Sequence, residues 1–352
     1  TVMDNETLHI ETLDLIVAPC FCVKAGRIFQ CNAAAKHLPL PPGAEIAPLL
    51  ATGQEEYAAY EGGSLYLTLD LSGTVFGAEV ERRGELDFFV LEGPAEPREL
   101  RALSLAAAEL RLPLSGILAS AAALANLAGE DGSQQAAALS RGLAQVLRLV
   151  GNMSAASSGT SHQALVEITG IFREIFEKAG AMLEGIGLCL DYQGPETALY
   201  CLADTQELER AVLNLLSNAA KFTPRGGHIA ASLTRQGRML RLCIQDSGSG
   251  IADSVRGSVF RRYLRQPAIE DSRYGLGLGM VMIRAAASHH GGAVLIDRPP
   301  QGGTRVTVTL AIRQDPVSQL RSPLLKVDYA GERDHALIEL SDVLPAEFYR
   351  DF

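Results

Sequence analysis

At 352 residues, with 47% apolar and 20% charged side chains, the chain is long enough for two or three folded domains and is composed like a globular protein, not a disordered one. A formal net charge of -10 with no basic run argues against nucleic acid as a partner. No stretch approaches the ~20 apolar residues of a membrane span, no basic-then-apolar leader opens the chain, and six scattered cysteines suit a reducing compartment, so a cytoplasmic protein is expected.

Residues 1–92 read as an α/β sensor module. Cys20-Phe21-Cys22-Val23-Lys24 and Arg27-Ile28-Phe29-Gln30-Cys31, joined by Ala25-Gly26, predict a hairpin, and Asn32 is placed to cap a short helix over 33–35. Leu65, Leu67, Leu69 and Leu71 alternate strictly, and 75–80 and 86–91 supply further strands. Cys20, Cys22 and Cys31 sit in this strand pattern and are read as core thiols, not metal ligands. A hairpin, short helices and then three strands is an order that resembles a PAS domain, used either to sense a ligand or to dimerise.

Gly93-Pro94-Ala95-Glu96-Pro97 punctuates the pattern as a linker, and two long helices are expected over 98–160. Leu103, Leu110, Ile117 and Leu124 recur every seven residues in the first, with Ala107, Leu114 and Ala121 beside them; Leu139, Leu143, Val146, Val150 and Met153 stripe the second. Gly129-Glu130-Asp131-Gly132-Ser133 is expected as the turn between them. Two such helices cannot bury both seams alone, so a homodimer is expected in which two antiparallel helical hairpins form a four-helix bundle. Pro113 should bend the first helix. The tail, 313–352, reads as a hairpin with arms at 324–329 and 336–340, and no role is assigned to it.

Between 163 and 312, helical and strand patterns alternate around four motifs. Asn214-Leu215-Leu216-Ser217-Asn218-Ala219-Ala220-Lys221 lies on an expected helix that continues to Phe222 and puts two carboxamides and an ammonium on one face. Carboxamide oxygen suits a hard cation such as Mg²⁺, and lysine suits anionic oxygen. Asp246-Ser247-Gly248-Ser249-Gly250-Ile251 follows an apolar strand; its carboxylate can accept from an exocyclic amine while its glycines admit a close ring or phosphate. Val259-Phe260-Arg261-Arg262-Tyr263-Leu264-Arg265 offers arginines to phosphates. Gly275-Leu276-Gly277-Leu278-Gly279-Met280 opens a helix, where free N–H groups favour phosphate. Alone, each has an ordinary reading as a polar helix face or a glycine turn.

Together, over residues 98 to 312, they resemble the N, G1, F and G2 boxes of the histidine-kinase branch of the GHKL ATPases, with Asp204 and Leu208 before the first box, Thr223-Pro224-Arg225-Gly226-Gly227 after it, and Gly302-Gly303-Thr304 near the end. The resemblance implies a multidomain α+β protein: a PAS-like module, helical dimerisation domain (98–160) and α/β-sandwich ATP-binding domain (163–312). It implies Asn218 as Mg²⁺ ligand, Asp246 as the adenine-reading carboxylate, Lys221 on phosphates, and Arg262 or Arg265 on the γ-phosphate. It further implies Gly275, Gly277 and Gly279, with Leu278 between them, as the lid hinge, Thr304 near adenine, and Phe222, Gly248, Gly250 and Ile251 in the nucleotide pocket. Asn214 stands where hydrolysing relatives carry a general-base glutamate, and a neutral amide cannot take a proton from water.

The resemblance also exposes a loss. The dimerisation helices of the family carry a His-Glu-Leu-Arg-Thr/Asn-Pro-Leu motif. Here Ala108 stands at the phosphoacceptor histidine, Glu109 and Pro113 are kept, and Leu112 replaces the Thr or Asn. A methyl group has no lone pair with which to attack a γ-phosphate. No histidine lies between His37 and His162. The expectation is a bacterial two-component homologue that binds ATP and Mg²⁺ without phosphorylating itself on the usual histidine, a pseudokinase acting through a response regulator or partner kinase. The alternative is a kinase that passes phosphate to a partner histidine in trans or to a non-standard acceptor.

Overall fold

In the computed structural model, the described residues are 13–92, 130–157, 161–251, 260, 278–313 and 333–352, together with part of a helix between 106 and 123. Ala108, Leu112, Pro113, Arg262, Arg265, Gly275, Gly277, the side chain of Leu278, the 93–97 linker and the 324–329 arm lie outside them.

Strands β1 (Cys20–Lys24) and β2 (Arg27–Cys31) form the expected hairpin; Ala25 and Gly26 both take positive φ (48° and 74°), the backbone of a turn whose twist matches paired strands. The side chain of Asn32 caps the 3₁₀ turn Ala33–Ala35 and ties it to the chain before β1. Its Oδ1 accepts from Cys20 N and Ala35 N (3.0 Å each), and its Nδ2 donates to Ile16 O and Ala18 O (2.9 Å each). After a short helix, α1 (Gln54–Ala58), come the meander strands β3 (Ser64–Leu71), β4 (Thr74–Arg83) and β5 (Leu86–Leu91). The alternating leucines of β3 are all buried, and Phe21 stacks on Phe89 at 4.8 Å in the same core.

Helix α2 (Glu130–Ser157) starts earlier than expected: residues 130–133 are its first turn and not a connecting loop. Glu130 and Asp131 are acidic, and an acidic first turn is favoured by the helix dipole. Leu143, Leu147 and Val150 bury against Ala107, Leu114 and Ala121 of the preceding helical residues. Leu110, Ile117, Leu139 and Val146 of the same two stripes remain exposed.

The C-terminal half supplies β6 (Ala164–Glu167), α3 (Ile168–Glu184), β7 (Cys189–Gln193), β8 (Tyr200–Ala203), α4 (Thr205–Phe222), β9 (His228–Gln236) and β10 (Met239–Asp246). These are followed by α5 (Leu278–His289), β11 (Val294–Asp297) and β12 (Arg305–Ala311). Ten of the described strands make one sheet, ordered β2-β1-β5-β4-β3-β11-β12-β10-β9-β7, with β6 and β8 in a separate pair. All its pairings are antiparallel except β7 with β9. The N-terminal module is thus joined edge to edge with the C-terminal one, where β3 pairs with β11 (Leu65 opposite Leu295). Gly63 permits this approach: a Cβ there would lie 2.4 Å from Ile296 O. Tyr66 of β3 packs into the core of the C-terminal half, and Ala293 before β11 packs into the N-terminal core.

The end of the chain does not form a hairpin. Residues 336–339 belong to a helix, α6 (His335–Glu339), which Leu340 ends, because the Asp334 carboxylate caps it, accepting from Ala336 N (2.9 Å) and Leu337 N (3.4 Å). Leu340, Leu344 and Tyr349 are wholly buried, so this segment is an integral part of the C-terminal core. Among the described residues no helix is long and apolar enough to cross a membrane.

Asn32→Ala removes the side-chain hydrogen bonds that hold a buried junction and leaves backbone groups unsatisfied. It is expected to cost about 3 kcal/mol, read as a lower midpoint in denaturant unfolding followed by near-ultraviolet circular dichroism.

Candidate functional site

Helix α4 is capped by Asp204, whose side chain accepts from Glu207 N (3.2 Å), and carries the first motif along its length. Leu213, Leu216 and Ala220 bury into the core as expected. The polar face is less open than the pattern predicts. Asn218 and Phe222 are half-buried, Asn214 is wholly buried, and the side chain of Lys221 is only 9% exposed.

Asp246 closes β10 inside a cradle of glycines. Its Oδ1 accepts from Gly248 N (2.8 Å) and Thr304 N (3.2 Å), and its backbone N–H donates to Thr304 O (2.9 Å). A Cβ on Gly248 would lie 2.4 Å from Phe222 O, and one on Gly303 would lie 1.9 Å from Asp246 O. Gly250, at φ 77°, would press a Cβ to 2.9 Å from Gly303 O. Only glycine fits at these places, so the backbone of both loops lies close around one buried carboxylate. Ile251 packs, half-buried, against the adjoining core. Burial pushes the Asp246 pKa up, against the backbone donors that pull it down.

The phosphate-type motif at the start of α5 is described from Leu278 onward. Gly279 faces Asn214 so closely that a Cβ would lie 2.9 Å from its Oδ1. The structure therefore brings together Asp246, Gly248, Gly250, Gly303 and Thr304 at one place, and Asn214 and Gly279 at another. Glu109 is exposed on its helix.

Sequence reasoning did not find the residues that hold the polar face of α4. Asn214 Oδ1 accepts from the Arg148 guanidinium of α2 (3.1 Å), and its Nδ2 donates to Glu339 of α6 (3.0 Å) and Arg210 O (2.9 Å). Glu339, fully buried, also receives Arg148 Nε (3.2 Å) and Arg210 Nε (3.3 Å). Asp342 Oδ2 lies 2.5 Å from both Arg148 Nη1 and Lys221 Nζ. Burial alone would raise the Asp342 pKa, but the two cations hold it below the usual carboxylate range. No local pattern marks Glu339 or Asp342, which lie over a hundred residues from their partners on α4.

A family model for the histidine kinase-, DNA gyrase B- and HSP90-like ATPases matches residues 203–314, the span of α4 to β12 that carries this site. Histidine protein kinase DivJ of Caulobacter vibrioides is 32% identical over 157 residues, 45% of this chain and 25% of that protein. Residues 203–314 thus carry the ATPase domain of this family, and the curated relatives that share it are histidine kinases. The signal transduction histidine-protein kinase/phosphatase MprB of Mycolicibacterium vanbaalenii is 29% identical over 240 residues, 64% of this chain and 49% of that relative. The full-length structure of ShkA in complex with AMPPNP superposes with a TM-score of 0.50 at 23% identity, over 63% of this chain and 47% of that one. The chain thus spans a quarter to half the length of these curated relatives.

A carboxylate whose folded-state pKa is raised destabilises the fold once it is ionised, and protonation relieves the cost. Asp246→Asn keeps the acceptor oxygen without the charge. It is expected to raise Tm at pH 7, the gain fading as the pH falls through the raised folded-state pKa of Asp246 and vanishing below the ordinary carboxylate range.

Proposed function

We propose that this protein is a sensor histidine-kinase homologue of two-component signalling that binds ATP·Mg²⁺ and does not autophosphorylate at the usual site. One juxtaposition carries the reading: a glycine cradle built around the buried Asp246, in a chain with Ala108 at the phosphoacceptor position. The residues fit a nucleotide at the adenine end. Asp246 would accept from the exocyclic amine of adenine, with Thr304 beside it and Gly248, Gly250, Ile251 and Phe222 forming the pocket. Asn218 would ligate Mg²⁺ and Lys221 would meet phosphate oxygen. Arg262 or Arg265 would reach the γ-phosphate, and Gly275, Gly277 and Gly279 would hinge the lid.

Asn214 has no acid-base function of its own and is already committed to Arg148 and Glu339, which supports a site that holds ATP without hydrolysing it efficiently. The sheet order β2-β1-β5-β4-β3 of the N-terminal module supports the PAS reading. The exposed Leu110, Ile117, Leu139 and Val146 support a homodimer through the helical domain, because two apolar stripes in water gain by covering one another. All six cysteines are free thiols, in keeping with a reducing cytoplasm. The output would be a shift of bundle geometry, driven by input ligand or nucleotide and read by a response regulator or partner kinase.

The deciding experiment incubates the protein with γ-labelled ATP and Mg²⁺ and reads bound nucleotide and covalent label on one sample. Binding without label is expected; stoichiometric label on the chain overturns the pseudokinase reading. Asp246→Asn is expected to bind ATP at least tenfold more weakly by titration calorimetry, because an amide presents a donor where the adenine amine needs an acceptor.

A further inference from the structure

The ion-pair network on α4 contains two carboxylates with different standing. Glu339 is wholly buried, and its oxygens are shared among Arg148, Arg210 and Asn214. Its segment is anchored by Ile338, which packs against α2, and by the buried Leu340, Leu344 and Tyr349. Asp342 sits at the rim with its side chain 32% exposed, and a single oxygen accepts from both Arg148 and Lys221 at 2.5 Å. Glu339 is part of the framework; Asp342 is exchangeable.

Without Asp342, the guanidinium of Arg148 and the ammonium of Lys221 would face each other, nearly buried, with no shared anion. Two such cations are costly to hold side by side unless an anion bridges them. Burial first and Arg148 second lower the Lys221 pKa, the mark of a cation in need of a counter-charge. The same spot adjoins Gly279 at the start of α5, since Arg148 bonds the Asn214 oxygen that Gly279 faces. An oxygen of a terminal phosphate offers the charge and the geometry that Asp342 Oδ2 supplies now.

Resting on the nucleotide-binding reading above, we propose that Arg148 and Lys221 form a binding site for the terminal phosphate of a nucleoside triphosphate. The chain's own Asp342 fills that site, so the C-terminal segment and the nucleotide compete for it. Arg148 belongs to the helical domain, so exchange of Asp342 for phosphate changes what ties α2 to the ATP-binding domain while Glu339 keeps the segment seated. By linkage, whatever loosens Asp342 tightens triphosphate binding, and bound triphosphate loosens Asp342 by the same factor.

The test titrates the full chain, wild type and Asp342→Ala, with ATP and with adenosine. Asp342→Ala is expected to bind ATP about tenfold more tightly or better while adenosine affinity is unchanged, and Arg148→Met in that background is expected to abolish the gain. An Asp342→Ala chain that is folded by circular dichroism and binds ATP no more tightly than wild type overturns the competition. Hydrogen exchange on the wild-type chain gives a second readout free of mutation. Saturating ATP is expected to speed exchange across residues 340–345, and no change or slower exchange overturns the proposal. If neither chain binds ATP or adenosine at millimolar concentration, the nucleotide-binding reading itself falls, and this inference with it. Equal ATP binding by both chains removes this inference alone.

Discussion

A fully buried glutamate at the end of the chain organises the interior of the ATP-binding half. Glu339 takes hydrogen bonds from Arg148 of α2, Arg210 of α4 and Asn214 of α4, so helices far apart in sequence meet at one carboxylate. A carboxylate removed from water is expensive unless nearly all its acceptor capacity is filled, and removing one partner of such a group costs about 3–5 kcal/mol. The geometry is therefore self-enforcing. Helix α6 must sit against α2 and α4 for the charge to be tolerated, and the guanidiniums must stay for the same reason. This fixes the rotation of α4 about its axis and hence which residues of the first motif are covered.

Two designs share α4. Toward the sheet, Leu208, Leu213 and Leu216 enter the core as any amphipathic helix would. On the other side, Asn214 hydrogen-bonds into the buried network, Lys221 pairs with Asp342, and Asn218 remains half-open. The glycine cradle around Asp246 depends on neither. It is made by β10 and the glycine loops around Asp246, where close backbone approach, not charge, sets the geometry. The glycine cradle and the ion-pair network are thus held by different parts of the molecule.

Much of this was legible in the sequence. The Ala25-Gly26 hairpin, the Asn32 cap on Ala35 and the alternation of the β3 leucines are local signals, although Asn32 also ties in the chain before β1 and the leucines bury against distant segments. Asp246, Gly248 and Gly250 are neighbours in one short motif, whereas Thr304, 58 residues on, was placed beside them by the family resemblance and not by any local pattern. Residues 130–133 read as a turn because Gly, Asp and Ser favour helix ends as well as loops. The 336–340 strand failed because a cap at Asp334 outweighs a brief alternation of apolar residues. The hold of Glu339 and Asp342 on α4 had no local signature: it is a tertiary pairing of ordinary-looking acidic residues with Arg148, Arg210 and Lys221.

The continuous sheet has a mechanical consequence. Because β3 and β11 share backbone hydrogen bonds, and Arg284 of α5 reaches across to Glu92 while its guanidinium lies over the Tyr66 ring, the N-terminal module cannot pivot without shearing the ladder. The two halves travel as one paddle. A strain on the N-terminal sheet therefore passes sideways, strand to strand, from β3 into β11 and β12.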